Sequence, residues 1–341
     1  MRWWLVAILT GLALATPLGA AAQPVALHGA GATFPAPLYR KWIAVFSGEH
    51  PEVVIDYKDV GSGEGIRRFM AGSVDFAASD AAMSDEQIGQ VAAGVRLVPA
   101  TAGMVVLAYN LPGAGGDLRL SRDVYSDIFA GRIVKWNDAR LRATNPGLPL
   151  PDRTIVLVAR QDASGTTFAL TNHLSAVSTD WRDRGPGTGT LVDWSGRAML
   201  ARGNEGVAAR VKISEGALGY MEYGFARRLG LPMARLQNKA GRYVVPSETS
   251  GQAALAYSVG QMPSNLRLFL PDPAGDDSYP IVSFSWLLLY DRVSDARKNA
   301  ALKRFVAWGL DEGQARGRDL GYIPLPIEVA ARARAAVERL P

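Results

Sequence analysis

Three stretches of the sequence combine glycine with small hydroxyl residues where a helix is predicted to begin. A helix N-terminus presents unpaired N–H groups and the positive end of the helix dipole, and glycine allows a ligand to approach the backbone closely. Such junctions are typical of anion sites, and hydroxyl side chains would add donors. The stretches are residues 29–35, 61–65 and 160–167, and their hydroxyl residues include Thr33, Ser62, Ser164 and Thr166.

Charged residues accompany these stretches. Arg160 opens the third stretch with Asp162 two residues later, and Asp80 ends a predicted strand at 76–79. Taken alone, Arg160 and Asp162 would equally suit a surface ion pair worth about 0–1 kcal/mol. Asp80 would equally suit a turn residue that accepts from nearby backbone N–H groups. The presence of all these features in one chain favours an anion-binding site.

Other kinds of chemistry are excluded or disfavoured by residue type. The 341 residues contain no cysteine, which excludes disulfides, thiolate metal sites, a Cys nucleophile and a lipid-modified Cys anchor. His28, His50 and His173 lie far apart in the sequence, so no metal site is predicted, and no cofactor is expected. No Walker A loop occurs, and Phe34 stands where a dinucleotide fingerprint would need its third glycine.

The first 22 residues resemble a secretory signal peptide. Arg2 precedes an apolar run at 5–15, and residues 20–22 are all alanine, the small residues that a signal peptidase accepts. The alternative is an uncleaved membrane anchor, since a span needs roughly 20 residues. We expect cleavage, and therefore a soluble monomer in the periplasm, without a lipid anchor.

The positive charge of the chain does not come from the candidate stretches. The formal net charge is +5, and Arg2 accounts for one unit of it. Residues 292–341 contain 10 basic and 6 acidic residues, which accounts for the other four units, and residues 23–291 balance at 26 of each sign. The basic C-terminal region would only serve solubility or encounter. We predict no nucleic-acid partner.

Apolar runs that suit strands alternate with helical periodicity, which predicts an α/β fold with mainly parallel sheets. The chain is long enough for two cores at about 150 residues each. We expect two hinge crossings through short extended segments, at 99–103 and 271–280, giving lobe I from 23–100 and 276–341 and lobe II from 101–275. The predicted strands are 53–57, 76–79, 104–109, 155–159 and 281–290, and the predicted helices are 35–46, 121–130, 296–308 and 326–340.

Several motifs, in order along the whole chain beyond residue 22, resemble the PstS family of phosphate-binding proteins of bacterial ABC importers. The residues that carry the resemblance are GAGATFPAPLYRKW at 29–42, VGSGEGI at 60–66, DFAASD at 75–80, IFAGRIVKWND at 128–138, RQDASGTT at 160–167, GNEGVA at 203–208, GALGYMEY at 216–223 and LGYIPLP at 320–326. The resemblance implies a two-lobed type II periplasmic-binding-protein fold, in which each lobe is a mostly parallel sheet flanked by helices and the ligand lies in the cleft between lobes.

The resemblance also implies a role for each matching residue. Backbone and hydroxyl groups would donate to phosphate, Arg160 would be the one cation on the ligand, and Asp162 would hold the guanidinium of Arg160 in place. Asp80, as an ionised carboxylate, can only accept a hydrogen bond, so it would require a protonated ligand. The implied donors are Thr33, Phe34, Ser62, Ser164, Gly165 and Thr166. Glu64 departs from the small residue that the family often has there, and its effect on the anion depends on where its side chain points.

Three classes of function compete for this sequence. The expected function is capture of inorganic phosphate and its delivery to the membrane permease subunits of a phosphate ABC importer, without catalysis. A phosphatase would also bind phosphate, but no metal cluster, nucleophile elbow or Ser/His pairing is evident. An extracellular structural protein would have no use for polar, glycine-rich loops around a carboxylate.

Overall fold

The computed structural model describes residues 23–115, 117–194 and 196–341. The strands are β1 Val25–Gly31, β2 Val53–Asp59, β3 Phe76–Ser79, β4 Val95–Asn110, β5 Arg119–Leu120, β6 Val156–Arg160, β7 Ala198–Ala201, β8 Ala217–Glu222, β9 Arg235–Gln237, β10 Tyr243–Val244 and β11 Val282–Tyr290. The helices are α1 Ala36–Glu49, α2 Ser62–Met70, α3 Asp85–Gly89, α4 Arg122–Phe129, α5 Ala139–Thr144, α6 Gly165–Val177, α7 Thr179–Asp183, α8 Gly203–Ile213, α9 Tyr223–Arg228, α10 Glu248–Ala256, α11 Ala296–Leu310, α12 Glu312–Ala315 and α13 Ile327–Glu338, with a 3-10 turn at Arg318–Leu320.

The main sheet has eight strands in the order β2-β1-β3-β11-β4-β8-β6-β7. β1 pairs in parallel with β2 and β3, and β6 pairs in parallel with β7 and β8. The two central strands, β11 and β4, join these parallel groups through antiparallel pairing. The predicted α/β fold is confirmed, and helices pack on the sheet throughout.

Strand β4 runs through both halves of the sheet. Its first part, from Val95 to Met104, pairs with β11, and its second part, from Val105 to Asn110, pairs with β8. The crossing predicted at 99–103 therefore lies inside a continuous strand, immediately before the change of partner. The second predicted crossing, 271–280, leads into β11. The lobe boundaries placed at these crossings stay a prediction.

The predicted helices occur with boundaries shifted by at most a few residues. Helix α1 shows why the pattern is reliable, because its apolar residues Leu38, Trp42 and Phe46 recur every four positions and are all buried. Fully burying a large apolar side chain contributes about 1.5–3 kcal/mol. Phe46 packs edge-on against Phe305 of α11, with ring centroids 5.3 Å apart.

The sequence prediction missed β1, β7 and β8 of the main sheet, the first part of β4, and the small sheet β10-β9-β5. Glycines at two of its seven positions make β1 a poor candidate on propensity, but the close packing requires them. Gly31 has φ +146°, and a Cβ there would lie 2.0 Å from the carbonyl oxygen of Ala78. Gly65 of α2 packs directly on Gly31, since a Cβ added to Gly65 would lie 2.4 Å from the Cα of Gly31. Glycines at 31 and 65 therefore serve the contact between α2 and the sheet.

The predicted signal peptide, residues 1–22, lies outside the described residues, so it stays a prediction. Across residues 23–115, 117–194 and 196–341, no helix is both long and apolar enough to cross a bilayer.

Candidate functional site

Four helices begin where strands of the two halves of the sheet end. α1 and α2 follow β1 and β2, whereas α6 and α8 follow β6 and β7. Ligands of open α/β sheets bind outside the carboxyl ends of the strands, where helix N-termini point at the ligand. The three stretches singled out by sequence lie at three of these junctions, and the fourth junction begins at Gly203.

Several backbone N–H groups at these junctions are free to donate. The N-cap Ser164 holds the amide of Thr167 through its Oγ at 3.1 Å, which leaves the first two amides of α6 available. In the described part of the chain, no protein acceptor lies within hydrogen-bond range of the amides of Thr33, Phe34, Ser62, Gly165 and Thr166.

The third stretch lies directly against the second stretch and Asp80. A Cβ added to Gly165 would lie 2.6 Å from the Oγ of Ser62, 2.6 Å from the Cβ of Asp80 and 2.7 Å from its Oδ2. Only glycine fits this position without displacing its neighbours. The N-terminus of α6, the hydroxyl of Ser62 and the carboxyl of Asp80 therefore meet at one point.

Arg160 and Asp162 form a buried pair. Arg160 is 2% exposed; its Nε donates to Asp162 Oδ1 at 2.9 Å, and its Nη2 donates to Oδ2. Asp162 Oδ1 also accepts from the amide of Gly203 at 3.0 Å. Burial alone would raise the pKa of Asp162, but the hydrogen bonds and charge of Arg160 hold that pKa below its usual value. The alternative interpretation of these two residues as a surface ion pair is wrong.

Asp80 is 1% exposed and faces groups from distant parts of the chain. Its Oδ1 accepts from Ser285 Oγ of β11 at 2.7 Å, and its backbone N–H donates to Ser62 Oγ at 3.3 Å. Burial raises the pKa of Asp80 to about 7, although Ser285, Arg160 and Ser62 each oppose that rise. Its partner Ser285 is far away in the sequence, so the interpretation of Asp80 as a local turn residue is wrong.

Glu64 turns away from the other residues of the second stretch. Its carboxylate accepts from Arg67 Nε at 2.7 Å and from Arg68 Nε at 2.7 Å, both on its own helix α2. Hydrogen bonds from Arg67 and Arg68 lower the pKa of Glu64 to about 2. Its charge is thus paired on the helix surface.

Sequence reasoning missed two residues that belong to this cluster. Asn204 contacts both Thr33 and Thr166, and Ser285 contacts Asp80. Asn204 had a detectable signal, because Gly203 follows an apolar run and opens a helix as the other stretches do. Ser285 had none, since it is one of two alternating serines in a buried strand.

His28 and His173 are bonded to groups other than those of the cluster. His173 is buried, with Nε2 2.8 Å from the hydroxyl of Tyr125 and Nδ1 2.6 Å from the carbonyl oxygen of Pro271. His28 pairs with Asp56 at the surface. Across the described ranges, no group of three or more His, Asp or Glu side chains could hold a metal ion.

Comparison with known proteins gives consistent matches. The model of the PBP superfamily domain matches residues 18–312. The phosphate-binding protein PstS of Pasteurella multocida is 38% identical over 314 residues, covering 92% of this chain and 90% of that protein. The protein of the same name from Haemophilus influenzae is 38% identical over 313 residues, covering 91% of this chain and 92% of that protein.

Solved structures share the fold. A high-affinity periplasmic phosphate-binding protein bound with phosphate aligns with a TM-score of 0.74 at 21% identity, covering 91% of this chain and 93% of that chain. The phosphate-binding protein from Stenotrophomonas maltophilia aligns with a TM-score of 0.73 at 20% identity, with the same coverage of 91% and 93%.

Proposed function

The chain belongs to the PstS family of phosphate-binding proteins, within the PBP superfamily, and we propose that it binds inorganic phosphate between its two lobes as a monomer. We further propose that it delivers phosphate to the membrane permease subunits of an ABC importer. The predicted signal peptide and the likeness to a periplasmic protein support a periplasmic location.

One observation carries the proposal: many hydrogen-bond donors and the guanidinium of Arg160 are gathered around the buried carboxyl group of Asp80. The free amides and hydroxyls of the three stretches would donate to the phosphate oxygens, and the guanidinium of Arg160 would supply the one positive charge. Asp162 orients that guanidinium through two hydrogen bonds. Asp80 would accept a hydrogen bond from the phosphate oxygen that carries a proton.

This arrangement suits a protonated oxyanion better than a fully ionised one. Sulfate offers Asp80 no proton, so an ionised Asp80 would repel it and remain unpaired. Mismatched polar partners in a dry site discriminate between ligands. Phosphate satisfies both the donors and the acceptor.

Binding, without turnover, is the activity that the site supports. Ser62 would need a base in order to act as a nucleophile. The carboxyl beside it, Asp80, already accepts from Ser285 and is assigned here to accept from the protonated ligand, and His28 and His173 are paired with other residues. Arg160 and Asp162 are paired with each other.

Titration calorimetry of purified protein with phosphate and with sulfate tests the proposal. We expect one phosphate per chain, little heat from sulfate, and a loss of at least about 30-fold in phosphate affinity for Arg160→Gln, because it removes a buried charged partner. Arg96→Gln is the matched control, since Arg96 also pairs with an aspartate, Asp291, but outside the site. Absence of phosphate binding by the wild type, or metal-dependent hydrolysis of a chromogenic phosphate ester, would overturn the proposal.

A further inference from the structure

Asn204 occupies a buried position between the first and third stretches. It is the second residue of α8 and is 0% exposed. Gly203 directly before it has φ +68°, and a Cβ there would approach the side chain of Thr33 to 3.4 Å. The tight turn out of β7 therefore places the Asn204 side chain against Thr33.

The orientation of the Asn204 amide is fixed by its neighbours. Its Oδ1 lies 2.9 Å from the backbone N–H of Glu222, a group that can only donate. The amide nitrogen must consequently face the other way. Nδ2 donates to Thr33 Oγ1 at 2.9 Å and to Thr166 Oγ1 at 3.1 Å.

These contacts determine what the two hydroxyl groups can do. A hydroxyl oxygen has two acceptor lone pairs and one proton. Thr33 Oγ1 accepts from both Nδ2 and the backbone N–H of Asn204, the latter at 3.2 Å, so its lone pairs are filled. Thr166 Oγ1 accepts from Asn204 Nδ2 and from Arg160 Nη1 at 3.2 Å. Thr166 Oγ1 can also donate to Asn204 Oδ1, but only over 3.4 Å, a long hydrogen bond that a closer anion oxygen would replace.

We propose that Asn204 is a positioning residue that forces the hydroxyls of Thr33 and Thr166 to act as donors toward the bound anion. This inference rests on the proposed phosphate site. Because Thr33 precedes α1 whereas Asn204 and Thr166 lie on α8 and α6, one amide group organises donors from both predicted lobes. Without it, each hydroxyl would be free to turn a lone pair toward the anion.

A mutant cycle in phosphate affinity tests the proposal. Asn204→Ala removes the amide, and the Thr33→Val/Thr166→Val pair removes both hydroxyls while keeping their shape. We expect Asn204→Ala to weaken phosphate binding by roughly 10-fold or more in the wild type, the scale of a hydrogen bond to a charged group. In the Thr33→Val/Thr166→Val background, the same substitution should weaken binding by less than about threefold, because its targets are gone.

Controls separate positioning from structural damage. Asn238 is an equally buried asparagine, with its amide bonded to the carbonyl oxygens of Gly275, Asp276 and Ser278. Asn238→Ala should therefore affect stability, but its effect on phosphate affinity should be the same with and without the hydroxyls of Thr33 and Thr166. Asn204→Ser, too short to reach both hydroxyls, replaces Asn204→Ala if the alanine variant does not fold. Equal losses in both backgrounds, or unchanged affinity of Asn204→Ala, would overturn the positioning role while phosphate binding by the wild type still stands. A wild type that binds no phosphate would instead defeat the proposed function.

Discussion

At the scale of single residues, Asp80 differs from the other residues assigned to contact the anion, because it alone would accept a hydrogen bond from it. Its raised pKa, about 7, refines the expectation drawn from sequence. Above pH 7 the group is mostly ionised and requires a protonated ligand. Below pH 7 it is mostly protonated and can donate to sulfate. Anion selectivity should therefore depend on pH through this one carboxyl.

Replacing Asp80 with asparagine should weaken the distinction between phosphate and sulfate. The side-chain amide introduced by Asp80→Asn can donate to a fully ionised oxyanion, so the ratio of the two affinities should fall by roughly 10-fold or more at pH 8. In the wild type, sulfate affinity should fall by about tenfold per pH unit above pH 7, and this slope should vanish in Asp80→Asn. Calorimetry with both anions at pH 6 and pH 8 measures these changes.

Asp75→Asn is the matched control for Asp80→Asn. Asp75 pairs with Lys298 at 2.8 Å and lies just before the same strand, β3. Its replacement should leave the ratio of phosphate to sulfate affinity within about twofold of wild type. Unchanged selectivity and an unchanged pH slope in Asp80→Asn would rule out the role assigned to Asp80.

At the scale of secondary-structure elements, the sequence predicted the helices and strands in which buried apolar residues recur with a regular spacing. The buried strand β3 and the amphipathic helix α11 follow from local patterns. β1 could not be predicted from a local pattern, because its Gly31 is required by close contacts with Ala78 and Gly65, which are distant in the sequence. For the same reason the three stretches could be identified locally, whereas the contact between Asp80 and Ser285 depends on how β3 and β11 pair.

The junction of β8 and α9 carries a second buried carboxyl, Glu222. It lies at the end of β8 opposite Val105, where β4 changes partner. Its Oε1 accepts from the amide of Gly224 at 2.8 Å, whereas Oε2 has no partner among the described residues. Burial raises the pKa of Glu222 to about 8, against the opposing effects of the Gly224 amide and of Arg228.

We expect Glu222 to make the folded protein less stable as pH rises. Between its ordinary pKa and about 8, the folded state holds a proton that the unfolded state has released, so the free energy of unfolding falls with pH, by up to about 1.4 kcal/mol per unit. Glu222→Gln stays neutral and should flatten this slope. The window from pH 7 to pH 8 is diagnostic, because Asp80 contributes mainly below pH 7 and His173, whose pKa burial lowers to about 4, is neutral there.

Urea unfolding at pH 7, 7.5 and 8 measures the effect of Glu222→Gln. Glu248→Gln, which alters an exposed carboxylate, is the control and should keep the wild-type slope. Equal slopes in Glu222→Gln and the wild type would show that Glu222 is already ionised in the folded protein.

At the scale of the whole molecule, the net charge and the site are separate. The formal charge of +5 has its surplus in Arg2 and residues 292–341, whereas the site contains Arg160 with Asp80 and Asp162. An anion there would be held by backbone and hydroxyl dipoles and one guanidinium. The contacts that join the two halves, such as Gly165 against Ser62 and Asn204 to Thr33, enclose these groups.

Phosphate affinity should therefore depend only weakly on ionic strength. Salt screens exposed charges over about 8–10 Å at physiological concentrations but acts much less on buried pairs, and Arg160 is 2% exposed. We expect the dissociation constant to change by less than about threefold between about 20 mM and 500 mM NaCl. Any salt effect should appear in the association rate, which surface charge influences, with the dissociation rate nearly constant. Stopped-flow measurements give both rates; a loss of affinity above about tenfold, arising in the dissociation rate, would mean that the bound anion is exposed to solvent.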